Sequence, residues 1–272
     1  TKKIGLVGIY FPGAYDALHE NVPEGFELVD ALSPEAYGNL ADCEYLISRL
    51  DIDPDIINHT PNVKFWQRWG AGFDHVDLKA WGERGIPIAT CPGVNSGIVA
   101  ELAIMLMLAG YRNLLQINRQ LRAGHWPRTE YFGRSFMIKG KTVGVLGLGH
   151  IGKKVAALAS AFGANVIYYD IVRQPEQEEQ FGYRFVDFDT LLKESDIFTI
   201  HCPLNEETRG MIGAAQFAKM KPTAMLINTA RGPIVDEAAL VDALTTGKIA
   251  TAGAGTFEPE ALAQGQPPLT PG

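Results

Sequence analysis

The stretch from residue 142 to residue 170, TVGVLGLGHIGKKVAALASAFGANVIYYD, decides the fold of this chain. An apolar run, Thr142–Leu146, leads at once into the pattern Gly147-Leu148-Gly149-His150-Ile151-Gly152, and a helical pattern follows over Lys153–Phe162. A second apolar run, Asn165–Tyr169, ends at Asp170. This order predicts a strand, a tight turn, a helix and a parallel strand, the arrangement of a doubly wound sheet that binds a dinucleotide.

Each part of the glycine pattern has its own physical role. Gly147 allows the tight turn, Gly149 lets the backbone approach a pyrophosphate, and Gly152 lets helix and strand pack closely. The start of the helix, at His150 and Ile151, offers free N–H groups and a partial positive charge to the phosphates. A plain turn between a strand and a helix could carry the same glycines. The strand before the turn, the helix after it and the acidic Asp170 favour a cofactor site.

The acidic residue selects between the two nicotinamide dinucleotides. Asp170 lies 18 residues after Gly152, at the end of the second predicted strand. There it would accept hydrogen bonds from the adenosine ribose and repel a 2′-phosphate. The sequence therefore predicts NAD in preference to NADP, and the nearby Arg173 is the one feature that favours NADP.

The rest of the chain repeats the alternation of strands and helices, which predicts an α/β protein with parallel sheets. Further strands are predicted at Ile4–Ile9, Tyr45–Ser48, Lys64–Arg68, Ile86–Ala89, Ile197–Ile200, Ala224–Ile227 and Ile249–Ala252. Further helices are predicted at Phe188–Glu194 and Glu237–Thr246, and an apolar helix, buried on most sides, at Ser96–Arg112. We expect a connecting loop at Arg122–Lys141, and two domains, residues 1–96 and 97–272.

Composition excludes several classes of protein. The chain has 272 residues with 24 basic and 31 acidic side chains, a net charge of -7, and no basic cluster, so nucleic acid is not an expected partner. The longest apolar run, Val99–Leu108, is interrupted by Glu101 and is too short to cross a membrane. The three cysteines, Cys43, Cys91 and Cys202, are widely spaced and predict neither disulfides nor a metal site. We therefore expect a soluble cytoplasmic protein.

Four further motifs carry a resemblance to a known family. They are Gly72-Phe73-Asp74-His75-Val76-Asp77, Asn95–Leu102, His201-Cys202-Pro203-Leu204 and Asn228-Thr229-Ala230-Arg231-Gly232. With the glycine pattern, they make nearly the whole chain resemble the D-isomer-specific 2-hydroxyacid dehydrogenases. The resemblance implies two Rossmann-like domains, with the NAD-binding domain inserted into a flavodoxin-like substrate domain and the active site between them. It also implies a homodimer formed through the helix after Ser96.

The resemblance assigns catalytic and substrate-binding residues. Arg231 matches the active-site arginine, which grips the substrate carboxylate and polarises the carbonyl, and a permanently charged guanidinium suits both roles. Glu260, 29 residues later, matches the glutamate that hydrogen-bonds a catalytic histidine and raises its pKa. Glu258 is the alternative if the alignment slips by two residues. The loop Gly70-Ala71-Gly72 matches the carboxylate-binding loop, whose N–H groups can hold an anion.

The remaining cofactor-binding residues also follow from the resemblance. His201, Cys202 and Pro203 match the segment that lines the nucleotide cleft, although a structural role fits His201 equally well. Thr229 and Ala230 precede the arginine in the same family motif.

The chain departs from the family in two places. No histidine follows Glu260, and the end of the chain, Leu269-Thr270-Pro271-Gly272, has glycine where the family has its catalytic histidine. The C-terminal return to the substrate domain is missing as well, and Gly255 stands where the family has an aspartate near the nicotinamide carboxamide. Two explanations stay open: a truncated dehydrogenase, which the initial Thr1 favours, or a natural variant without acid/base catalysis, which Gly255 favours.

The leading hypothesis is an NAD-dependent oxidoreductase that interconverts D-2-hydroxy acids and 2-oxo acids by hydride transfer. A formate dehydrogenase shares the fold, but that group has glutamine where Glu260 stands. A non-catalytic NAD(H)-binding regulator would explain the absent histidine but not the presence of Arg231. The substrate side chain is not predicted, because Arg49, Trp66 and Trp69 fit either a substrate pocket or ordinary core and surface positions.

Overall fold

The computed structural model describes residues 1–50, 52–74 and 76–256. The chain divides into two compact units, and the boundary lies between Asn95 and Ser96. Each unit is built on its own sheet, and all strand pairings within the described residues are parallel. The predicted α/β class with two parallel sheets is therefore confirmed.

The first unit has a sheet of five strands in the order β2-β1-β3-β4-β5, which is the flavodoxin-like order. Its elements are β1 (Lys2–Gly8), α1 (Pro12–Glu20), β2 (Phe26–Ala31), β3 (Tyr45–Arg49), β4 (Phe65–Arg68), α2 (Leu78–Glu83) and β5 (Ile88–Ala89). Two short 3-10 helices cover Pro34–Asp42 and Pro54–His59.

Aromatic packing closes the core of the first unit. Trp66 on β4 is almost completely buried, and its ring lies 4.8 Å from that of Trp81 on α2. The indole N–H of Trp66 donates to the hydroxyl of Ser48 at 2.7 Å, which satisfies the one polar atom that its burial removes from water. Trp66 is therefore a core residue, and of the three side chains left open by the sequence only Arg49 and Trp69 lie at the carboxyl edge of the sheet.

The second unit has six strands in the order β11-β10-β9-β6-β7-β8, the order of a dinucleotide-binding Rossmann sheet. Its elements are α3 (Ser96–Tyr111), α4 (Leu114–Arg122), β6 (Thr142–Leu146), α5 (His150–Ala161), β7 (Asn165–Tyr169), α6 (Pro175–Phe181), β8 (Arg184–Phe185), α7 (Phe188–Glu194), β9 (Ile197–Ile200), α8 (Ala214–Phe217), β10 (Met225–Asn228), α9 (Glu237–Thr245) and β11 (Thr251–Ala254). The strand order reverses between β6 and β9, and ligands of such sheets bind at the carboxyl ends of the strands at this point.

The predicted bounds hold for β6, β7, β9 and α7, and each of the other six predicted strands differs from the observed strand by one or two residues at one or both ends. Strand β2 was not predicted, because its sequence FELVDA places acidic residues among apolar ones at the edge of the sheet. Strand β8 has two residues, too few for a periodic pattern.

Helix α3 is buried or half-buried on most sides, as the sequence predicts. Ala103 and Met107 are fully buried in the core that α5 and the second sheet form. One stripe of the helix is exposed: Ile98 is 75% exposed and Met105 is 55% exposed. No single helix among the described residues has the length and apolarity of a membrane span; α3 and α4 reach that composition only together, across a bend of 62°.

Candidate functional site

The glycine turn between β6 and α5 has a backbone that side chains would disrupt. Gly147 has a φ of 90°, in the left-handed region, and its N–H donates to the carbonyl of Tyr169 at 2.9 Å. A Cβ atom on Gly152 would lie 2.0 Å from the carbonyl oxygen of Gly147. At Gly149 the result is different, because a Cβ there would meet no atom within 4 Å. The turn is therefore closed on its inner side and open at Gly149.

The first turn of α5 follows the open glycine. Gly149 is the N-cap residue and has no side chain, so no side-chain cap covers the helix N-terminus. The N–H groups of His150, Ile151 and Gly152 have no carbonyl one turn earlier in the helix to bind. An open glycine before uncapped N–H groups is the arrangement that binds a pyrophosphate.

Asp170 lies at the carboxyl end of β7, beside the glycine turn. One carboxylate oxygen accepts from the N–H of Leu148 at 2.7 Å, and the other accepts from the N–H of Val172 at 3.1 Å. Each oxygen keeps a further lone pair that can accept from a ribose hydroxyl. Asp170 thus fastens the glycine turn to β7 and remains able to bind a sugar.

Arg173, the residue that favours NADP in the sequence, is already engaged. Its guanidinium donates to both carboxylate oxygens of Glu178, at 2.9 and 2.8 Å. Arg173 and the hydroxyl of Tyr168 both donate to this carboxylate, and they lower the pKa of Glu178 to about 2. The guanidinium therefore has an anionic partner within the chain.

His201 follows β9 and faces the glycine turn, where a Cβ on Gly147 would lie 2.8 Å from the backbone nitrogen of Cys202. Its Nε2 atom lies 2.8 Å from the hydroxyl oxygen of Thr199. Its Nδ1 atom is completely buried and has no partner among the described residues. Burial lowers the pKa of His201 to about 3, so the imidazole is neutral at physiological pH and is a poor proton donor there. Burial also raises the pKa of the Cys202 thiol to about 11, and Pro203 is exposed.

The depressed pKa of His201 predicts a loss of stability in mild acid. The unfolded chain binds a proton near the ordinary histidine pKa of 6.5, whereas the folded chain does not, so the free energy of unfolding falls as the pH decreases below that value. Between pH 7.5 and 5.0 this residue is expected to remove about 1–2 kcal/mol. Urea unfolding of the parent and of His201→Gln at both pH values measures it, because glutamine does not titrate. An equal pH dependence in the two proteins would contradict the assignment.

The turn after β10 presents Arg231. Asn228, a buried residue at the end of the strand, accepts from the N–H of Ala230 at 3.1 Å and donates to the carbonyl of Arg231 at 2.8 Å. The half-buried guanidinium donates to the carbonyl of Ala230 at 2.8 Å. The hydroxyl of Thr229 is buried without a partner among the described residues. Asn228 therefore positions Arg231, a role that the sequence signals only as a polar residue at the end of a buried strand.

The loop Gly70-Ala71-Gly72 lies at the carboxyl end of β4. The carbonyl of Gly70 accepts from the N–H of Cys91 at 2.8 Å, and its own N–H donates to the carbonyl of Arg68 at 3.0 Å. The N–H groups of Ala71 and Gly72 have no acceptor within the described part of the chain. Consecutive free N–H groups of this kind form a cradle for an anion.

Two sequence predictions lie outside the described residues: Glu260 and its alternative, Glu258. Gly255, by contrast, is described, and its N–H donates to the carbonyl of Asn228 at 2.9 Å. A Cβ atom there would lie 3.2 Å from a methyl group of Leu102 and 3.6 Å from the methyl group of Thr229. Gly255 thus continues the pairing of β11 with β10 in a tightly packed place.

A family model agrees with this geometry. Residues 104–270 match the model of the D-isomer specific 2-hydroxyacid dehydrogenase, NAD binding domain. The chain belongs to this family. The resemblance drawn from the sequence motifs is therefore confirmed, and the second unit carries the family's NAD-binding domain.

Individual relatives give the extent of the similarity. The chain is 41% identical to a glyoxylate reductase of Thermococcus litoralis over 214 residues, which cover 77% of this chain and 65% of the relative. It is 43% identical to a D-3-phosphoglycerate dehydrogenase of Archaeoglobus fulgidus, over 78% of this chain and 40% of the relative. The chain thus spans less than two thirds of the length of these two relatives.

Solved structures resemble this chain over most of its length. A glyoxylate reductase from Paecilomyes thermophila has a TM-score of 0.81 and 33% identity, over 95% of this chain and 82% of that one. The apo D-mandelate dehydrogenase of Rhodotorula graminis has a TM-score of 0.86 and 30% identity, over 97% of this chain and 84% of that one.

Proposed function

We propose that this chain acts as an NAD-dependent oxidoreductase that interconverts D-2-hydroxy acids and 2-oxo acids. The observation that carries the proposal is the carboxyl edge of the second sheet. There β6, β7 and β10 end in an open glycine turn, a carboxylate and an arginine, respectively. Parallel strands bring these ends to one side of the sheet, so the nucleotide-binding and anion-binding groups share an edge.

The residues present fit NAD. The uncapped N–H groups of α5 would hold the pyrophosphate, and Asp170 would hold the adenosine ribose. Two buried polar atoms at the same edge, Nδ1 of His201 and the hydroxyl of Thr229, have no partner among the described residues. Buried polar groups normally have partners, so a ligand that supplies them explains both atoms. When bound, the cofactor supplies the hydride that reduces a 2-oxo acid.

The substrate would be held by its carboxylate. The guanidinium of Arg231 is planar and permanently charged, so it can bind a carboxylate and stabilise the negative charge that develops on the carbonyl oxygen. We propose that the first unit binds substrate through the free N–H groups of Ala71 and Gly72. Turn geometry fixes these donors, so they lose little entropy on binding an anion.

Reduction of a 2-oxo acid also needs one proton at the carbonyl oxygen. The family resemblance implies that Glu260 raises the pKa of a catalytic histidine, and no histidine follows Glu260 in this sequence. His201 does not fit the role of that histidine, because its pKa is far below neutral pH. We propose that solvent supplies the proton to this chain and that turnover is slow, because positioned acid/base catalysis typically contributes about 10²- to 10⁴-fold.

Replacement of Asp170 with alanine should weaken the preference for NADH over NADPH by about tenfold, because the charge that repels a 2′-phosphate is removed. The affinity for NADH itself should fall by less than tenfold, although the contact with the N–H of Leu148 is lost too. Fluorescence titration of both cofactors measures the ratio. Asp170→Asn keeps an acceptor oxygen without the charge, so it should lower the ratio of the two affinities as Asp170→Ala does. An unchanged ratio in both variants would contradict the role of Asp170.

We also propose that the protein forms a homodimer in the cytoplasm. The support is a set of exposed apolar side chains on α3, on α4 and in the loop after it: Ile98, Met105, Leu108, Leu114, Leu115, Trp126, Phe132 and Met137. Large exposed apolar patches often mark an interface. Sedimentation velocity tests the proposal, and a monomer at micromolar concentration would contradict it. The three cysteines are free thiols, as a reducing compartment favours.

The experiment that tests the function is an absorbance assay of NADH oxidation with glyoxylate, pyruvate, hydroxypyruvate and longer 2-oxo acids. We expect oxidation that depends on the 2-oxo acid. NADH binding without oxidation by any of these acids would instead favour a regulator on the same scaffold.

A further inference from the structure

A buried arginine joins two loops at the carboxyl edge of the first sheet. Arg68, the last residue of β4, is 8% exposed. Its Nε atom donates to the carbonyl of Gly72 at 2.6 Å, and its Nη1 atom donates to the carbonyl of Leu50 at 2.8 Å. A buried charge is costly unless hydrogen bonds satisfy it, so these contacts are part of what keeps the guanidinium in this place.

The first of these loops begins with a strained residue. Leu50 directly follows β3 and has a φ of 61°, in the left-handed region that a leucine rarely adopts. A backbone conformation of this kind costs about 1–3 kcal/mol and persists where the surroundings fix it. The hydrogen bond from Arg68 to the carbonyl of Leu50 is a contact that fixes it. Such outliers concentrate at functional sites.

The second loop is the anion cradle, and the same guanidinium sets its direction. A peptide group is planar and trans, so the carbonyl of Gly72 and the N–H of Phe73 point in opposite directions. Because Arg68 binds the carbonyl of Gly72, the N–H of Phe73 faces away from the buried guanidinium. That N–H, like those of Ala71 and Gly72, has no acceptor within the described part of the chain.

We propose that Arg68 is a positioning residue for substrate binding: it holds the Gly70–Gly72 loop so that its N–H groups converge on the carboxylate of a 2-oxo acid. This inference rests on the proposed function. Arg68 does not contact the substrate in this account, and its contribution is the fixed orientation of the loop. A donor misplaced by a fraction of an ångström binds an anion less well, so the effect appears in substrate affinity.

The chain offers a matched control in the same unit. Arg84 also joins two backbone carbonyls, those of Ile57 and Thr60, at 2.7 and 2.6 Å. These carbonyls do not belong to the anion cradle. Arg84→Met therefore removes two arginine–carbonyl hydrogen bonds, as Arg68→Met does, and leaves the Gly70–Gly72 loop untouched. Arg84 is exposed whereas Arg68 is buried, so urea unfolding is needed to compare the stability that each variant loses.

The test compares KM for the best 2-oxo acid, kcat, and the Kd for NADH in the parent and the variants, with urea unfolding to establish that each is folded. Arg68→Met is expected to raise KM about tenfold or more, with kcat and the Kd for NADH within about threefold of the parent. Arg84→Met should leave all three unchanged. Arg68→Lys keeps the charge, but its donors lie on a single nitrogen and do not reproduce the fork that reaches both carbonyls, so an intermediate KM is expected. This variant serves as the test if Arg68→Met does not fold.

An unchanged KM in folded Arg68→Met or Arg68→Lys would overturn the positioning role. An equal rise in KM in Arg84→Met would overturn it as well, because the effect would then follow from general destabilisation. If the parent neither binds nor reduces any 2-oxo acid, the proposed function fails, and the role of Arg68 fails with it.

Discussion

Replacement of Arg231 with alanine is expected to weaken the binding of oxamate, a 2-oxo acid analogue, about 100-fold in the presence of NADH. The variant loses two charge-assisted hydrogen bonds to a carboxylate, and no neighbouring side chain in the turn after β10 carries a positive charge to replace them. The affinity for NADH should stay close to that of the parent, because the glycine turn and Asp170 are unchanged. Calorimetric titration of NADH, and then of oxamate, measures both.

Two further variants sharpen this test. Arg231→Lys keeps the charge but loses the planar fork, so an intermediate affinity for oxamate is expected. Arg184→Ala removes an arginine of the same unit that pairs with Glu194 on the surface, and it should change neither affinity. If oxamate binds Arg231→Ala as tightly as the parent, Arg231 is not the carboxylate-binding residue.

Alanine at Gly149 is expected to reduce the affinity for NADH about 100-fold while leaving the free energy of unfolding unchanged. A Cβ at Gly149 meets no protein atom within 4 Å, so the apo fold tolerates it. The same methyl group would occupy the open side of the turn, where a pyrophosphate must approach the N–H groups of α5.

Alanine at Gly152 is the matched comparison, because its Cβ would lie 2.0 Å from the carbonyl oxygen of Gly147. We expect this variant to lose about 3 kcal/mol of stability as well as its affinity for NADH. Urea unfolding and fluorescence titration separate the two effects. Parental affinity for NADH in Gly149→Ala would show that the pyrophosphate does not lie against this face of the turn.

The nucleotide half of the site could be predicted from the sequence because its determinants are local. A turn with a left-handed Gly147 and a close approach at Gly152 accepts only glycine, and Asp170 directly follows a strand whose bounds the apolar run defines. The same holds for Arg231, which follows a buried strand within a short motif. Each of these features lies within a few residues of the strand that precedes it, so its pattern can be recognised in the sequence.

The remaining features depend on contacts between distant residues. The bonds from Arg68 join the ends of β3 and β4, and neither carbonyl acceptor has a residue type that predicts the contact. The low pKa of His201 results from burial in the folded chain, where its backbone packs against Gly147, a residue distant in the sequence. The strain at Leu50 is likewise invisible in the sequence, because leucine rarely adopts a positive φ.

The measurement that tests the central claim most directly is isotope transfer from NADH that carries deuterium at both C4 positions to a 2-oxo acid larger than glyoxylate, whose product has a stereocentre at C2. We expect one deuterium at C2 of the product and the D configuration at that carbon, with the C4 hydride moving to the substrate and a proton from the protein or solvent completing the hydroxyl group. Mass spectrometry and chiral chromatography determine both properties, and slow turnover suffices. A product without deuterium at C2, or a product of L configuration, would contradict the claim that this chain transfers hydride to 2-oxo acids to give D-2-hydroxy acids.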